Sequence, residues 1–263
     1  MELSSYRLIS KTVKGVIYTL VCILIWQAYT RIGNIPAFIL PSPGNVWSEL
    51  KNLVFSGELL AHLAYTARNI LIGFTIGVVA GSFLGFVIQK SWILDAASSP
   101  FLVLLQAMPK IAIAPLFVLW FGFGITSQVI LIISLAFFPV LTNVRSGLNN
   151  INPQYKELSQ ILKLNRSEYL RKVEIPSILP DLFTGAKIGL LDAMTGAILA
   201  EFITANKGLG YLLVYGNATY KTSILVASIV VIVAFGLLLY SCTEVLERKL
   251  IFWRQSQRVK SHV

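Results

Sequence analysis

Sparsely charged apolar stretches, each about as long as a bilayer is thick, recur along the chain and leave few folds open to it. A helix needs about 20 mostly apolar residues to cross the hydrocarbon core. The segments Val13 to Tyr29, Thr66 to Ile88, Ser98 to Phe121, Ser127 to Leu148, Leu182 to Phe202 and Ile224 to Leu246 come near that length. Inside lipid no water bonds the backbone, and helices satisfy it within one segment. The expected fold class is therefore all-α: a polytopic membrane protein with about six transmembrane helices. Composition agrees, since 56% of the 263 residues are hydrophobic and 13% charged, against about 25% charged in a soluble domain.

A formal net charge of +10 raises nucleic acid as a partner, but the basic residues are not gathered with aromatics on one face, so no nucleic-acid partner is expected. Lys and Arg accumulate instead on cytoplasmic loops of membrane proteins. With six spans and a cytoplasmic N-terminus, fifteen of the 22 fall on one side, from Arg7, Lys11 and Lys14 to Arg254, Arg258 and Lys260. Five fall on the other, namely Arg31, Lys51, Arg68, Lys207 and Lys221, while Lys110 and Lys187 lie within spans. Both termini are thus expected to be cytoplasmic. The basic start to Lys14 superficially resembles a signal peptide, but no small-residue cleavage site follows and the apolar run continues through Trp26 and Tyr29, as in a first membrane span. Cys22 and Cys242 both lie in apolar segments and suggest neither a disulfide framework nor a metal site.

The longest polar insertion on the cytoplasmic side, Asn149 to Pro180, reads as two short helices. Asn152-Pro153 supplies a cap and a proline at the first helical position, ahead of helix-forming residues from Gln154 to Leu162. Asn165 opens a second helix, with Glu168 at capping-box spacing. Along it Leu170 and Val173 can face apolar surroundings while Arg166, Arg171 and Lys172 stay wet, as at a membrane boundary. Pro176 and Pro180 are expected to interrupt the chain before the next span.

The run Glu157-Leu158-Ser159, then Lys163, then Val173-Glu174-Ile175-Pro176 resembles the glutamate-alanine-alanine loop of binding-protein-dependent ABC importer permeases. In that family the pattern is Glu-Ala-Ala, three residues, Gly, nine residues, Ile, one residue, Leu-Pro. The spacing agrees throughout, while Leu158, Ser159 and Lys163 depart from it. Glycine tolerates the left-handed backbone of a tight corner; with Lys163 in its place, the first helix is expected to extend and Asn165 to make the corner. Further likeness lies in Leu40-Pro41-Ser42-Pro43 before Val46-Trp47, in Pro109 and Pro115-Leu116 before Trp120-Phe121-Gly122-Phe123-Gly124, and in Ala200-Glu201 before Gly208-Leu209-Gly210-Tyr211. These resemble the nitrate, sulfonate and taurine branch, which includes permeases for pyrimidine-type vitamin precursors.

The resemblance implies a type I ABC importer permease fold, one transmembrane domain over residues 1–263 with a coupling loop at 149–180, in the bacterial plasma (inner) membrane. It further implies a second permease copy, two cytoplasmic ATP-binding subunits and an extracytoplasmic solute-binding protein. The chain has no Gly-x-x-x-x-Gly-Lys-Ser/Thr phosphate loop, so no cofactor is expected in it, and ATP with Mg would act in the partner subunit. The first loop helix would seat in the ATPase, with Glu157, Lys163, Arg166 and Pro176 in the coupling loop and Leu162 and Leu164 as apolar anchors.

Ionisable residues within a membrane face a partner or a watery cavity. Lys110, after Pro109 in the third span, either attracts an anionic solute, pairs with Asp192 or snorkels; Gln106 lies one turn earlier on the same face. Asp192 and Thr195 in the fifth span, and Glu201 near its outer end, complete the candidate pathway, with Asp192 open to a structural pair or to solute. Glu201 with Gly208-Leu209-Gly210 is a candidate outer gate. Gly73, Gly77, Gly81 and Gly85 recur every four residues and let a helix pack closely, within one subunit or across a dimer. A self-contained secondary carrier or channel is the main rival, although the halves show no repeat. An intramembrane enzyme fits poorly, because His62 and His262 are the only histidines and no cluster has metal-ligand spacing. A pathway role for Lys110 predicts that Lys110→Ala lowers solute uptake; unchanged uptake would remove that role.

Overall fold

A computed structural model describes residues 2–204 and 206–253, with the side chains of 2–13, 16, 110 and 111 outside the description. Arg254, Arg258 and Lys260, and the side chains of Arg7, Lys11 and Lys110, thus lie outside the described residues. The elements are α1 (Glu2–Ile32), α2 (Pro43–Phe55), α3 (Glu58–Lys90), α4 (Trp92–Ala107), α5 (Lys110–Phe121), α6 (Ile125–Asn149), α7 (Pro153–Ile161), α8 (Arg166–Tyr169), a π-helical turn (Leu170–Glu174), α9 (Ile175–Thr204), α10 (Leu209–Ala218) and α11 (Thr222–Leu250). Three of these, α3, α6 and α11, are single helices long and apolar enough to span a membrane. Two bent pairs, α4 with α5 and the run from Arg166 to Thr204 with α10, bring the number to five, and the apolar stretch Ile17–Ile32 of α1 falls short of the length required.

The third expected span departs from the continuous helix read from the sequence. Its two halves meet at 104°, because Met108, preceding proline, is extended at ψ 128 and Pro109 follows at ψ 109. Proline here breaks the span rather than loosening it. The opposite correction applies at the fifth span, where Pro180 lies inside α9. The Ile175 amide reaches back five residues to the Leu170 carbonyl, and this wide turn just before Pro176 takes up the register that a missing proline donor would disturb.

The chain divides into two compact units. The smaller holds residues up to His62 and Leu212–Val231. In it the Ser42 side chain caps α2 by accepting from the Asn45 amide, Val46 and Leu53 are buried, and the Thr222 hydroxyl donates to the Phe38 carbonyl. The larger unit, Leu63–Tyr211 and the residues from Ile232 onward, is centred on α6. Its core joins Ile70 of α3, Ile132 and Ala136 of α6, and Leu190, Ala193 and Met194 of α9, with Phe235 and Leu239 of α11 packed against them. A broad band of exposed apolar side chains, including Leu71, Ile76, Val79 and Phe83 on α3 and Val233, Leu237 and Leu238 on α11, would be untenable in water and suits lipid.

Small residues set the helix spacing. The Gly73, Gly77, Gly81 and Gly85 stripe lies against α6: a Cβ at Gly73 would come 2.5 Å from the Ile132 side chain, and one at Gly81 2.6 Å from the Phe137 carbonyl oxygen. From α9, Gly185 and Gly189 approach the carbonyls of Pro139 and Ala136, each leaving 2.8 Å for a Cβ. Gly81→Ala should therefore cost about 1–3 kcal/mol by overpacking. This is expected as a lower unfolding midpoint of the detergent-solubilised protein, whereas Gly15→Ala, where a Cβ meets nothing within 4 Å, should not lower it.

Candidate functional site

The polar loop folds into a rigid elbow. Asn152 caps α7 by accepting from the Gln154 amide at 3.0 Å. At the other end the Lys163 amide donates to the Gln160 carbonyl and the Leu164 amide to the Ser159 carbonyl, both at 3.0 Å, which is the Schellman arrangement. That arrangement needs a left-handed residue, and Lys163 supplies it at φ 49. The expectation that Lys163 would extend the helix and leave the corner to Asn165 is thus corrected: α7 ends at Ile161, Lys163 turns the corner in the conformation a glycine favours, and Asn165 caps the next helix. The capping box is complete, with the Glu168 amide donating to Asn165 Oδ1 at 2.9 Å and the Asn165 amide to Glu168 Oε2 at 3.0 Å. Leu170 and Val173 are half-buried, while Arg166, Arg171 and Lys172 are exposed.

Of the loop residues singled out by sequence, Glu157, Leu162, Lys163 and Arg166 are exposed, while Leu164 and Pro176 are half-buried. The exposed apolar residues of α7 and its C-cap are Tyr155, Leu158, Ile161 and Leu162, at 49, 50, 77 and 60% exposure. The spacing of Tyr155, Leu158 and Leu162 puts them on one face of the turn. Leu164 is thus the less available of the two expected anchors, and Tyr155, Leu158 and Ile161 were missed. Their alternation with Lys156, Glu157 and Gln160 was the signal that could have found them.

A cavity of about 590 Å³ opens in the larger unit beside α6. Phe117 and Trp120 of α5, Phe138 of α6 and Ile188 of α9 give it an apolar wall, into which Gln106, Ser134, Thr142, Asn143 and Asp192 bring polar groups. A second cavity of about 400 Å³ shares Gln106 and Thr142 with the first and is more polar, lined also by Ser99, Arg145, Ser146, Asn149 and Asn150. Arg145 is held there by an ion pair with Asp95 and by donating to the Ser99 hydroxyl at 2.6 Å. The two cavities adjoin at Gln106 and Thr142. Gln106 and Asp192, far apart in sequence, both line the first, aromatic chamber. Pro109 sits exposed in the break between α4 and α5, and Thr195 is exposed with its hydroxyl donating to the Leu191 carbonyl at 3.0 Å.

Glu201 lies elsewhere. It is 1% exposed and belongs to a polar clasp at the opposite end of α6 from the loop. Its Oε1 accepts from the Thr66 hydroxyl at 2.8 Å and its Oε2 from the Gly210 amide at 2.7 Å, while the Leu209 amide donates to Thr66 Oγ1 at 2.9 Å. Gly208, at φ 113, packs against the carboxylate where no side chain would fit. Beside this, Gln128 accepts from Asn69 and donates to Thr204, both at 2.8 Å. Amides at Asn69 and Gln128 within apolar spans were the overlooked signal, because a buried amide needs partners. Lys187, one of the two cations expected within spans, pairs with Glu247. Among the described residues no group of His, Cys, Asp and Glu is placed to hold a metal ion.

Residues 73–252 match the binding-protein-dependent transport system inner membrane components, and the chain belongs to that family. It is a permease subunit of an ABC importer. Among its relatives, the riboflavin transport system permease protein RibX of Chloroflexus aurantiacus is 36% identical over 92% of this chain and 91% of its own. The putative aliphatic sulfonates transport permease protein SsuC of Bacillus subtilis is 32% identical over 92% and 88%, and the formylaminopyrimidine transport permease protein ThiX of Halalkalibacterium halodurans 32% identical over 96% and 99%. The fold is shared with a chain of the MetNI methionine ABC transporter at a TM-score of 0.64 and 19% identity, covering 73% of this chain and 95% of that one. The fold implied by the loop motif is the one observed.

A left-handed lysine costs about 1–2 kcal/mol relative to its right-handed form. Lys163→Gly should accordingly slow hydrogen exchange at the Leu164 amide, while Lys163→Val, β-branched at positive φ, should accelerate it.

Proposed function

We propose that this chain forms one half of the translocation pathway of an ATP-driven importer and pairs with a second copy of itself. Two cytoplasmic ATP-binding subunits hydrolyse ATP with Mg, and an extracytoplasmic solute-binding protein delivers the solute. The observation that carries this reading is the exposed apolar face of α7 on an elbow whose corners are fully hydrogen-bonded. Such a helix behaves as a rigid lever: it seats Tyr155, Leu158 and Leu162 in a groove of the ATPase, with Glu157 and Arg166 making polar contacts at its edge, and passes the movement through Pro176 into α9. The fifteen-to-five distribution of Lys and Arg, counted with α1 as a sixth span, supports a reading with the loop and both termini on the cytoplasmic side. Residues 1–263 then serve as one permease domain with the coupling loop at 149–180.

The aromatic chamber is where the solute passes, with Gln106 and Asp192 in its wall and Pro109, Lys110 and Thr195 along the same route; Glu201 and its clasp close the outer end. The relatives carry names for aliphatic sulfonates, riboflavin and formylaminopyrimidine. The solute class proposed is correspondingly a small one: nitrate, an organosulfonate, or a vitamin or pyrimidine precursor.

Co-expression with candidate ATPase subunits tests the lever. The chain should co-purify with them as a complex that hydrolyses ATP, and Leu158→Asp with Ile161→Asp should abolish co-purification while the permease still inserts in the membrane. Co-purification unaffected by these substitutions would sink the assignment of α7.

A further inference from the structure

The loop is tied to the membrane helices at a second point. Glu174, the last residue of the π-helical turn, is 6% exposed and forms an ion pair with Lys90 at the C-terminal end of α3. The Lys90 ammonium also lies 4.9 Å from the centre of the Phe86 ring. Phe86 in turn packs on Val140 and Val144 of α6 and Ile178 of α9. One residue earlier on α3, the Gln89 side chain donates to Asn149 at the end of α6.

The π turn bears on this placement. One extra residue per turn rotates whatever follows by about 100° relative to a regular helix, and π bulges gather at functional positions. In this chain the wide turn leaves Arg171 and Lys172 exposed and Glu174 buried against α3. A buried carboxylate is costly when it loses its cation, so the loop cannot leave α3 without exposing or stranding Glu174. The glycine stripe holds α3 against α6, so whatever displaces α3 displaces the cavity wall.

We propose that the Lys90–Glu174 ion pair is a second mechanical link of the coupling loop, by which α3 and α6 follow the loop together with α9, and that both residues are positioning residues for coupled transport. This rests on the reading of α7 as the ATPase-docking helix. Without the pair, the loop follows the ATPase through α9 alone and slides past α3.

Nitroxide labels on Leu84→Cys in α3 and Ser167→Cys in α8, with Cys22 and Cys242 replaced by serine, test this by pulsed electron resonance in the complex with its ATPase subunits. The distance between the labels should be the same with and without trapped ATP when the pair is intact. In Glu174→Gln and in Lys90→Met it should shift on ATP trapping; Lys90→Arg, and the exchanged pair Lys90→Glu with Glu174→Lys, should return it to the unshifted value. A shift in the unsubstituted pair, no shift in either single variant, or no rescue by the exchange overturns the link while leaving α7 docking intact. Failure of the labelled parent to bind the ATPase subunits at all overturns both.

Discussion

Glycines on two helices bring their backbones against a third, and this close approach positions the rest of the larger unit. Gly73, Gly77, Gly81 and Gly85 lie on α6 from one side and Gly185 and Gly189 from another, with no room for a single added carbon at any of the six. In lipid there is little hydrophobic gain in bringing helices together, so packing at short range must supply the adhesion. Having α6 as the shared surface holds α3 and α9 close against it. The cavity walls on α6 and α9, and the clasp that joins Thr66 to Glu201, inherit their geometry from that contact.

Two polar regions sit at the ends of this apolar assembly and differ in kind. The clasp around Glu201 is buried and held by neutral donors, two of them to the Glu201 carboxyl and one to the Thr66 hydroxyl. The loop end is held by ion pairs, Lys90 with Glu174 and Arg145 with Asp95, and by backbone capping. A buried hydrogen-bond network resists opening as a unit; at the loop end the Arg145–Asp95 pair is partly exposed and exchanges with water at smaller cost, while Glu174, buried against α3, is held there by Lys90. The asymmetry suits a protein that is acted on at the loop end.

Much of this was legible in the residues. Most of the spans followed from length and hydropathy, the loop helices from Asn152-Pro153 and the Asn165 and Glu168 pair, and the stripe of α3 from its four-residue repeat. What escaped was decided by local backbone balance or by distant partners. Pro109 and Pro180 both occur in apolar helical sequence, yet one stands at a break between helices and the other rides inside its helix. Lys163 adopts a positive φ that no side-chain propensity favours, since two backbone hydrogen bonds of the helix end require it there. The ion pair of Lys90 with Glu174, and the shared cavity lining of Gln106 and Asp192, involve residues more than eighty positions apart and leave no trace in local pattern. A second small-residue stripe, Gly185, Gly189, Ala193 and Ala197, repeats every four residues along α9 and is visible in spacing.

The central claim, that this chain conducts solute only as the membrane half of an ATP-driven machine, is tested most directly by reconstituting it in liposomes with ATPase subunits and a solute-binding protein. Riboflavin, taurine and a short alkanesulfonate would be offered in turn. Accumulation of one of them only when ATP is supplied on the side occupied by α7, and none with an ion gradient alone, is the predicted result. Accumulation by the permease without ATPase subunits, driven by an ion gradient, would contradict it.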